Sequence, residues 1–182
     1  MPTILAHAAV GWSLARLATA GSAPWLRRRG PDVALVLAML PDADVVGFRF
    51  GVRYEDLLGH RGISHSLLFA LATSAVAFAA LRSLTPERRG LLSLGLGLFL
   101  AAVSHPLLDM LTDGGLGVAF FAPFSAERFF FPWSPIPVSP IGIGPGLVHV
   151  LKYEVLAFGP LVPLAWVVSR LCSRRLDKRE VV

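Results

Sequence analysis

The fold is decided by Leu91–Leu111, which reads LLSLGLGLFLAAVSHPLLDML. This stretch is apolar for long enough to cross a bilayer, since a spanning helix takes roughly 17–25 residues. Four similar stretches follow from the sequence, namely Ile4–Ala20, Val33–Phe48, His65–Leu84 and Leu147–Leu171. The first two are short and carry polar residues, whereas the other two reach spanning length. We therefore predict an all-α, multi-pass membrane helical bundle of about five helices, forming a single domain over residues 1–182.

The composition also favours a membrane protein over a soluble one. Hydrophobic residues make up 54% of the chain and charged residues 16%, against roughly 25% charged residues in a typical soluble domain. The net charge is +5, but the basic residues form short clusters between apolar stretches rather than one basic face. We therefore expect no nucleic-acid partner. The single cysteine, Cys172, excludes a disulfide within the chain.

The basic clusters predict an orientation in the membrane. They follow the first, third and fifth apolar stretches, within residues 27–29, 82–89 and 174–179. If all five stretches cross, these clusters lie on one side, which the positive-inside rule makes the cytoplasmic side. The His and Asp residues of four helices then gather in the outer leaflet. Because the orientation rests on the arginines alone, this gathering is independent support for a site.

Two carboxylates follow a proline within the segment Leu40–Asp44. Pro41 bends or ends a helix, so Asp42 and Asp44 lie toward the outer end of the second helix. A charged side chain within the hydrocarbon costs about 2.5–3.5 kcal/mol by insertion scales, which favours a functional role. A helix cap followed by a solvated loop is the alternative.

The segment His60–Ser66 reads HRGISHS. It combines two imidazoles, His60 and His65, with a guanidinium and two hydroxyls. Neutral imidazole is the commonest side-chain ligand of zinc and related ions. Histidines at this spacing do not establish a metal site by themselves, and polar residues at the start of an interfacial helix are the alternative.

Three further histidines differ in their surroundings. His105 and Asp109 are separated by one helical turn, so they share a helix face, and a simple hydrogen-bonded pair is the alternative to a metal site. His7 is the weakest candidate, because a lone histidine in an apolar run is often satisfied by packing. His149 has no carboxylate near it in the sequence, and we leave it outside the site.

Taken together, these motifs predict one metal site in the outer leaflet. The predicted ligands are His7, Asp42, Asp44, His60, His65, His105 and Asp109. These donors exceed what one tetrahedral zinc ion uses, so we expect two or more divalent ions. Zinc is the expected metal, with manganese or iron(II) as alternatives, and the lack of thiolates argues against a structural cysteine site.

A long segment rich in Gly, Pro and Phe separates the fourth and fifth stretches. Residues 112–146 include FFAPF at 120–124 and FFFPW at 129–133. A loop of this length is uncommon without a function, and aromatic residues favour the membrane interface. We predict a hydrophobic flap that lies over the metal site from the outer side, although an inert interfacial loop fits the sequence about equally well.

The motifs at His7, Asp42–Asp44, His60–Ser66 and Ser104–Thr112 resemble those of the bacterial inner-membrane metal-dependent hydrolases, a family with LexA-regulated members. The resemblance covers residues 1–125, and the His-Arg-Gly-x-Ser-His-Ser block is its most specific part. It implies metal-dependent hydrolysis. More distantly, the site is similar to those of zinc-dependent phospholipase C and related zinc nucleases, which implies phosphoester chemistry. The Phe- and Pro-rich segment after Thr112 departs from the pattern and leaves the substrate open.

We therefore expect a membrane-embedded hydrolase of the bacterial inner membrane, with its active site toward the extracytoplasmic side. The expected substrate is a phosphoester of a membrane lipid or lipid-linked molecule, cleaved by metal-activated water. The expected catalytic residues are Arg61, Ser64 and Asp109, with Arg61 binding the phosphate through its planar guanidinium.

A non-enzymatic metal-binding carrier or transporter is the alternative. It is disfavoured because the predicted ligands gather at one face, whereas a transporter usually places its site near the midplane. An intramembrane metalloprotease is a weaker possibility, since the sequence contains no His-Glu-x-x-His motif. The sequence leaves open the oligomeric state and the division of the site residues between ligands and general base.

Overall fold

The structure is a computed structural model that describes residues 1–141 and 143–179. It contains six α-helices and two 3₁₀ helices. The α-helices are α1 Ile4–Ala18, α2 Pro24–Met39, α3 Leu67–Ser83, α4 Leu91–Met110, α5 Leu147–Phe158 and α6 Leu161–Arg179. The 3₁₀ helices are Leu40–Phe50 and Ile63–His65. Within these residues the only β-type pairing is two isolated bridges, so the all-α prediction is confirmed.

Helix α4 is the centre of the bundle. It packs against α1, α2 and α3. Its first half supplies Leu94 and Leu98 to the apolar core, and its last turns carry His105 and Asp109. Gly97 permits a close approach of α1, because a Cβ there would lie 3.2 Å from Ala15 Cα. Such small-residue contacts are how membrane helices pack tightly.

Helix α2 begins nine positions before the predicted stretch Val33–Phe48 and ends well before it does. Pro24 lies in the first turn, where a backbone N–H has no partner within the helix. The missing N–H of proline therefore costs no hydrogen bond there. Pro31, inside the helix, cannot donate to the Arg27 carbonyl. Arg16 Nη1 donates to that carbonyl instead, at 3.0 Å. The arginines at 27–29 are therefore part of a helix, not of a loop as predicted.

The fifth stretch is divided into α5 and α6. Pro160, between them, has no N–H to donate to the preceding turn, which interrupts the hydrogen-bond ladder. Among the residues that the structure describes, the two segments together, Leu147–Arg175, and helix α4 are the helical regions long and apolar enough to cross a membrane. Helices α1 and α3 are apolar but have 15 and 17 residues, at or below the usual spanning length. The arrangement with five crossings stays a prediction.

Residues 111–141 run across one end of the bundle without forming a helix. Their backbone is tied to the site segments, because Leu67 N donates to Phe120 O and Ala119 N donates to Arg61 O, both at 2.9 Å. Val118 and Ala119 are buried. The Phe- and Pro-rich segment therefore lies against the residues that carry the His and Asp motifs.

Candidate metal centre

Four side chains from three parts of the chain converge on one buried point. Asp42 comes from the 3₁₀ helix that follows α2, and His65 from the short 3₁₀ helix before α3. His105 and Asp109 come from one face of α4. The relative exposure of His65, His105 and Asp109 is 0%, and that of Asp42 is 6%.

The spacing of their donor atoms is close to that in the ligand shell of a metal ion. The Nε2 atoms of His65 and His105 are 3.0 Å apart. Asp42 Oδ1 lies 3.6 Å from His65 Nε2 and 3.4 Å from His105 Nε2. Asp109 Oδ2 lies 3.3 Å and 3.8 Å from the same two nitrogens. Metal–ligand lengths of about 2.0–2.2 Å place neighbouring donors of a tetrahedral ion roughly 3.3–3.6 Å apart.

The contacts of the Nδ1 atoms of His65 and His105 orient the two rings so that each Nε2 faces the centre. His105 Nδ1 lies 2.6 Å from the Ala38 carbonyl oxygen, which accepts a hydrogen bond from it, so Nε2 faces the centre. His65 Nδ1 lies 3.2 Å from Asp44 Oδ2. A carboxylate or carbonyl behind a histidine is the usual support of a metal ligand, because it sets the tautomer and the ring orientation.

The polar atoms at the centre are short of partners. Among the described residues, neither carboxylate oxygen of Asp42 or Asp109 has a hydrogen bond of acceptable geometry, and the same holds for both ring nitrogens of His7. A buried carboxylate without hydrogen bonds is strongly unfavourable. A divalent cation at the centre would satisfy at least one oxygen of each carboxylate, so the residues present fit a metal ion.

His7 joins the centre from helix α1. Its ring stacks on His105 with the centroids 3.7 Å apart, and its Nε2 lies 3.4 Å from Asp109 Oδ1. His7, Asp42 and His105 form a second group whose donor atoms lie within 4.8 Å of one another. Asp42 and His105 therefore belong to two adjoining groups, which suits more than one ion.

Asp44 and Ser64 lie behind the ligands, with His60 at the edge of the site. Asp44 Oδ1 lies 2.7 Å from His60 Nδ1, and Ser64 Oγ donates to Asp44 Oδ2 at 2.6 Å. The group of Asp42, His60 and His65 also has donor atoms within 4.8 Å of one another. The structure thus brings together all seven predicted ligands, with Asp44 placed to orient two histidines.

Arg61 is fully buried and surrounded by the site. Its Nη1 donates to Gly114 O and its Nη2 to Thr112 Oγ1, both at 2.9 Å. Its Nε lies 3.3 Å from Asp109 Oδ2. The backbone φ of 61° is a left-handed conformation that non-glycine residues seldom adopt and that concentrates at functional sites. Each terminal nitrogen donates one of its two N–H groups to a protein oxygen, and the phosphate contact stays a prediction.

Arg128 is a site residue that the sequence reasoning missed. Its Nη1 donates to three carbonyls, those of His60, Arg61 and Gly117, and its Nη2 donates to those of Tyr54 and Asp56. It therefore ties the motif segment to residues 111–141. A sequence signal for Arg128 was present, because it is a charged residue within an aromatic segment.

Tyr54 closes the outer edge of the motif segment. Its ring packs edge-on against His60, with the centroids 5.2 Å apart. Burial raises the pKa of the Tyr54 phenol above its ordinary value, so the hydroxyl is neutral and can donate a hydrogen bond.

Two hollows lie beside segments that follow the site residues in the chain. A cavity of about 430 Å³ is lined by Thr112, Asp113, Gly114, Gly115, Phe130 and Ser134, and so lies behind the contacts of Arg61. An apolar groove of about 180 Å³ lies between the start of α3 and the aromatic segment, lined by Leu67, Leu68, Leu71, Phe120, Phe121 and Phe124. His149, which we left outside the site, is exposed on α5.

Comparison with known proteins assigns this chain to a family. The family model of the YdjM inner membrane protein matches residues 1–180. The inner membrane protein YbcI of Escherichia coli (strain K12) is 42% identical over 144 residues, which cover 79% of this chain and 80% of the relative. No solved structure matches the chain. With nearly its whole length matched and two helical regions able to span a bilayer, this chain belongs to the YdjM family of bacterial inner membrane proteins.

Proposed function

We propose that this protein is a membrane-embedded metal-dependent hydrolase that cleaves a phosphoester of a lipid or lipid-linked substrate. The observation that carries the proposal is the convergence of two imidazole Nε2 atoms and two carboxylates at 3.0–3.8 Å in a buried site. Two nitrogen and two oxygen donors suit zinc, manganese or iron(II).

A divalent ion held in this centre would lower the pKa of a water molecule and polarise a phosphoryl oxygen. The protein's own residues would hold this ion and orient the side chains that bind it. His65, His105, Asp42 and Asp109 supply the donor atoms, and His7 and His60 extend the set toward a second ion. Asp44 and Ser64 fix the orientation of His65 from behind.

Arg61 takes a different role in this proposal from the one the sequence predicted. It balances part of the Asp109 charge and anchors the backbone at residues 112–114. When the imidazoles are neutral, the Asp42, Asp44 and Asp109 carboxylates, whose side chains are at most 8% exposed, outnumber the Arg61 guanidinium by two charges. One divalent cation would balance that difference. This charge balance is a second support for a metal ion.

The lipid substrate is inferred from the surroundings of the centre. The groove beside α3 is lined by apolar side chains, and Phe121 and Phe124 in it are 51% and 84% exposed. In an inner-membrane protein such a surface suits an acyl or polyprenyl chain that reaches the site from within the bilayer. A soluble nucleotide would need no such surface. The positive-inside distribution of the arginines supports an extracytoplasmic position for the centre.

The deciding experiment is release of phosphate or head group from a panel of phospholipids and polyprenyl phosphates. The purified full chain would be assayed in detergent and in liposomes, with a chelator-treated sample and a His65→Ala variant as inactive references. His149→Ala is the matched control, because this histidine is exposed and lies outside the centre. Turnover of water-soluble substrates alone, or activity that survives complete metal removal, would refute the proposal.

One observation favours a second candidate, a non-enzymatic metal-binding membrane protein such as a carrier. The side chains of His7, His65, His105 and Asp109 are all 0% exposed, so a bound ion would be enclosed by protein. Metal content without hydrolysis of any panel lipid, together with ion flux in proteoliposomes, would support this candidate over the hydrolase.

A further inference from the structure

Glu154 is a buried carboxylate that the metal centre does not use. It lies on α5, within a candidate membrane span, and is only 4% exposed. Both of its oxygens accept from one residue, since Thr3 N donates to Oε1 at 2.6 Å and Thr3 Oγ1 donates to Oε2. Ionisable residues within membrane spans are rare, and those that occur have specific partners and usually a function.

Thr3 is the N-cap residue of α1, which begins at Ile4. Its own side chain does not cap the helix, so the carboxylate of Glu154 provides an acceptor from another helix. A negative charge at a helix N-terminus is also stabilised by the helix dipole. The Thr3 carbonyl in turn accepts from the backbone N–H of Ala6 at 3.0 Å and of His7 at 3.3 Å. Glu154 is thus linked to His7 through Thr3.

His7 depends on this link because no hydrogen bond fixes its ring. Within the part of the chain that the structure describes, neither ring nitrogen of His7 makes a hydrogen bond. The ring is held by stacking on His105 and by the position of α1. A slide or rotation of the first turn of α1 would change the distance between His7 Nε2 and Asp109 Oδ1, which is 3.4 Å.

We propose that Glu154 is a positioning residue that sets His7 in the metal centre through Thr3, so that helix α5 controls the His7 side of the site. The inference rests on the proposed function only in taking the centre to bind a divalent ion. It gives α5, which is otherwise largely exposed, a specific connection to the site.

The test is a metal titration of the purified full chain with Co²⁺ and Zn²⁺. Glu154→Ala should weaken binding by about tenfold or more, the usual effect of losing a residue that orients a ligand, and should shift the Co²⁺ visible spectrum. Glu154→Gln keeps one acceptor and should restore part of the affinity. Lys152→Ala, an exposed change on the same helix, is the matched control and should bind as the unaltered chain does.

A double-variant comparison separates positioning from general stability. In a His7→Ala background, Glu154→Ala should cause no further loss of affinity, since its effect passes through His7. Equal losses in the two backgrounds, or an unchanged spectrum and affinity in Glu154→Ala, would overturn the inference. If Glu154→Ala does not fold in detergent, Glu154→Gln and Thr3→Ala give the same comparison. Failure of the unaltered chain to bind either metal would instead refute the proposed function.

Discussion

His65 Nε2 lies 3.0 Å from His105 Nε2, with both rings fully buried. The Nδ1 atom of each ring faces an acceptor, Asp44 Oδ2 in one case and the Ala38 carbonyl in the other. If each Nδ1 carries the ring proton, the lone pairs of the two Nε2 atoms face each other at the centre. Such a contact needs a proton or a cation between the rings, and the adjacent Asp42 and Asp109 carboxylates favour a divalent cation.

Removing either inward-facing histidine should remove bound metal. We expect His65→Ala and His105→Ala each to remove a donor atom. Their loss of metal affinity should therefore exceed the roughly 10–100-fold loss that is typical when an orienting residue is removed. Elemental analysis of the purified chain measures the content, with His149→Ala as the control. Unchanged metal stoichiometry in both variants would rule out this centre.

Asp44 should behave as an orienting residue. Asp44→Asn keeps the shape and one acceptor oxygen but loses the charge that faces His60 and His65. We expect roughly 10–100-fold weaker metal binding with the number of ions preserved at saturation. A metal titration checks this. If Asp44→Asn loses one ion even at saturating metal, Asp44 is a ligand, as the sequence first suggested.

Metal binding should weaken as the pH falls. Imidazole binds metal only when it is neutral, and protons compete with the ion below its ordinary pKa of about 6.5. We therefore expect metal content to fall progressively as the pH is lowered into the acidic range. The thermal stability should fall with it, since an ion bound only to the folded state stabilises that state. Metal content that stays constant or rises in this range would contradict imidazole ligation.

Arg61 should be required for the integrity of the centre. Arg61→Met removes the charge beside Asp109, and breaking a buried ion pair typically costs about 3–5 kcal/mol. We expect lower unfolding stability, and a smaller effect of the same kind for Arg61→Lys. Arg53→Lys, at an exposed ion pair, is the control. Full metal content with reduced turnover in Arg61→Lys would instead support the predicted phosphate contact.

The orientation can be tested with single cysteines on a Cys172→Ser background. Arg28, Arg53 and Arg175 are all exposed, so cysteines at these positions can react with a membrane-impermeant thiol reagent. We expect position 53 to be labelled from the extracytoplasmic side and positions 28 and 175 from the cytoplasmic side. Labelling of position 53 from the cytoplasmic side alone would reverse the orientation.

The sequence was a good guide to the contents of the site and a poorer one to helix boundaries. All seven predicted ligands meet, because side chains that are unfavourable in hydrocarbon must be gathered and paired wherever the helices place them. The start of α2 at Pro24 was missed. The three successive arginines at 27–29 interrupt its apolar pattern, and the carbonyl freed by Pro31 is satisfied by Arg16 of helix α1.

Composition and motif spacing by themselves determined the all-α class, the membrane setting and the set of His and Asp residues, since hydrophobic length and residue chemistry are local properties. Only the tertiary structure decided which atoms converge. It placed Asp44 behind His65, enclosed Arg61 among protein acceptors, and joined Glu154 to Thr3. These roles depend on distances between residues up to 151 positions apart, and such distances are fixed by how helices pack, which no local pattern encodes.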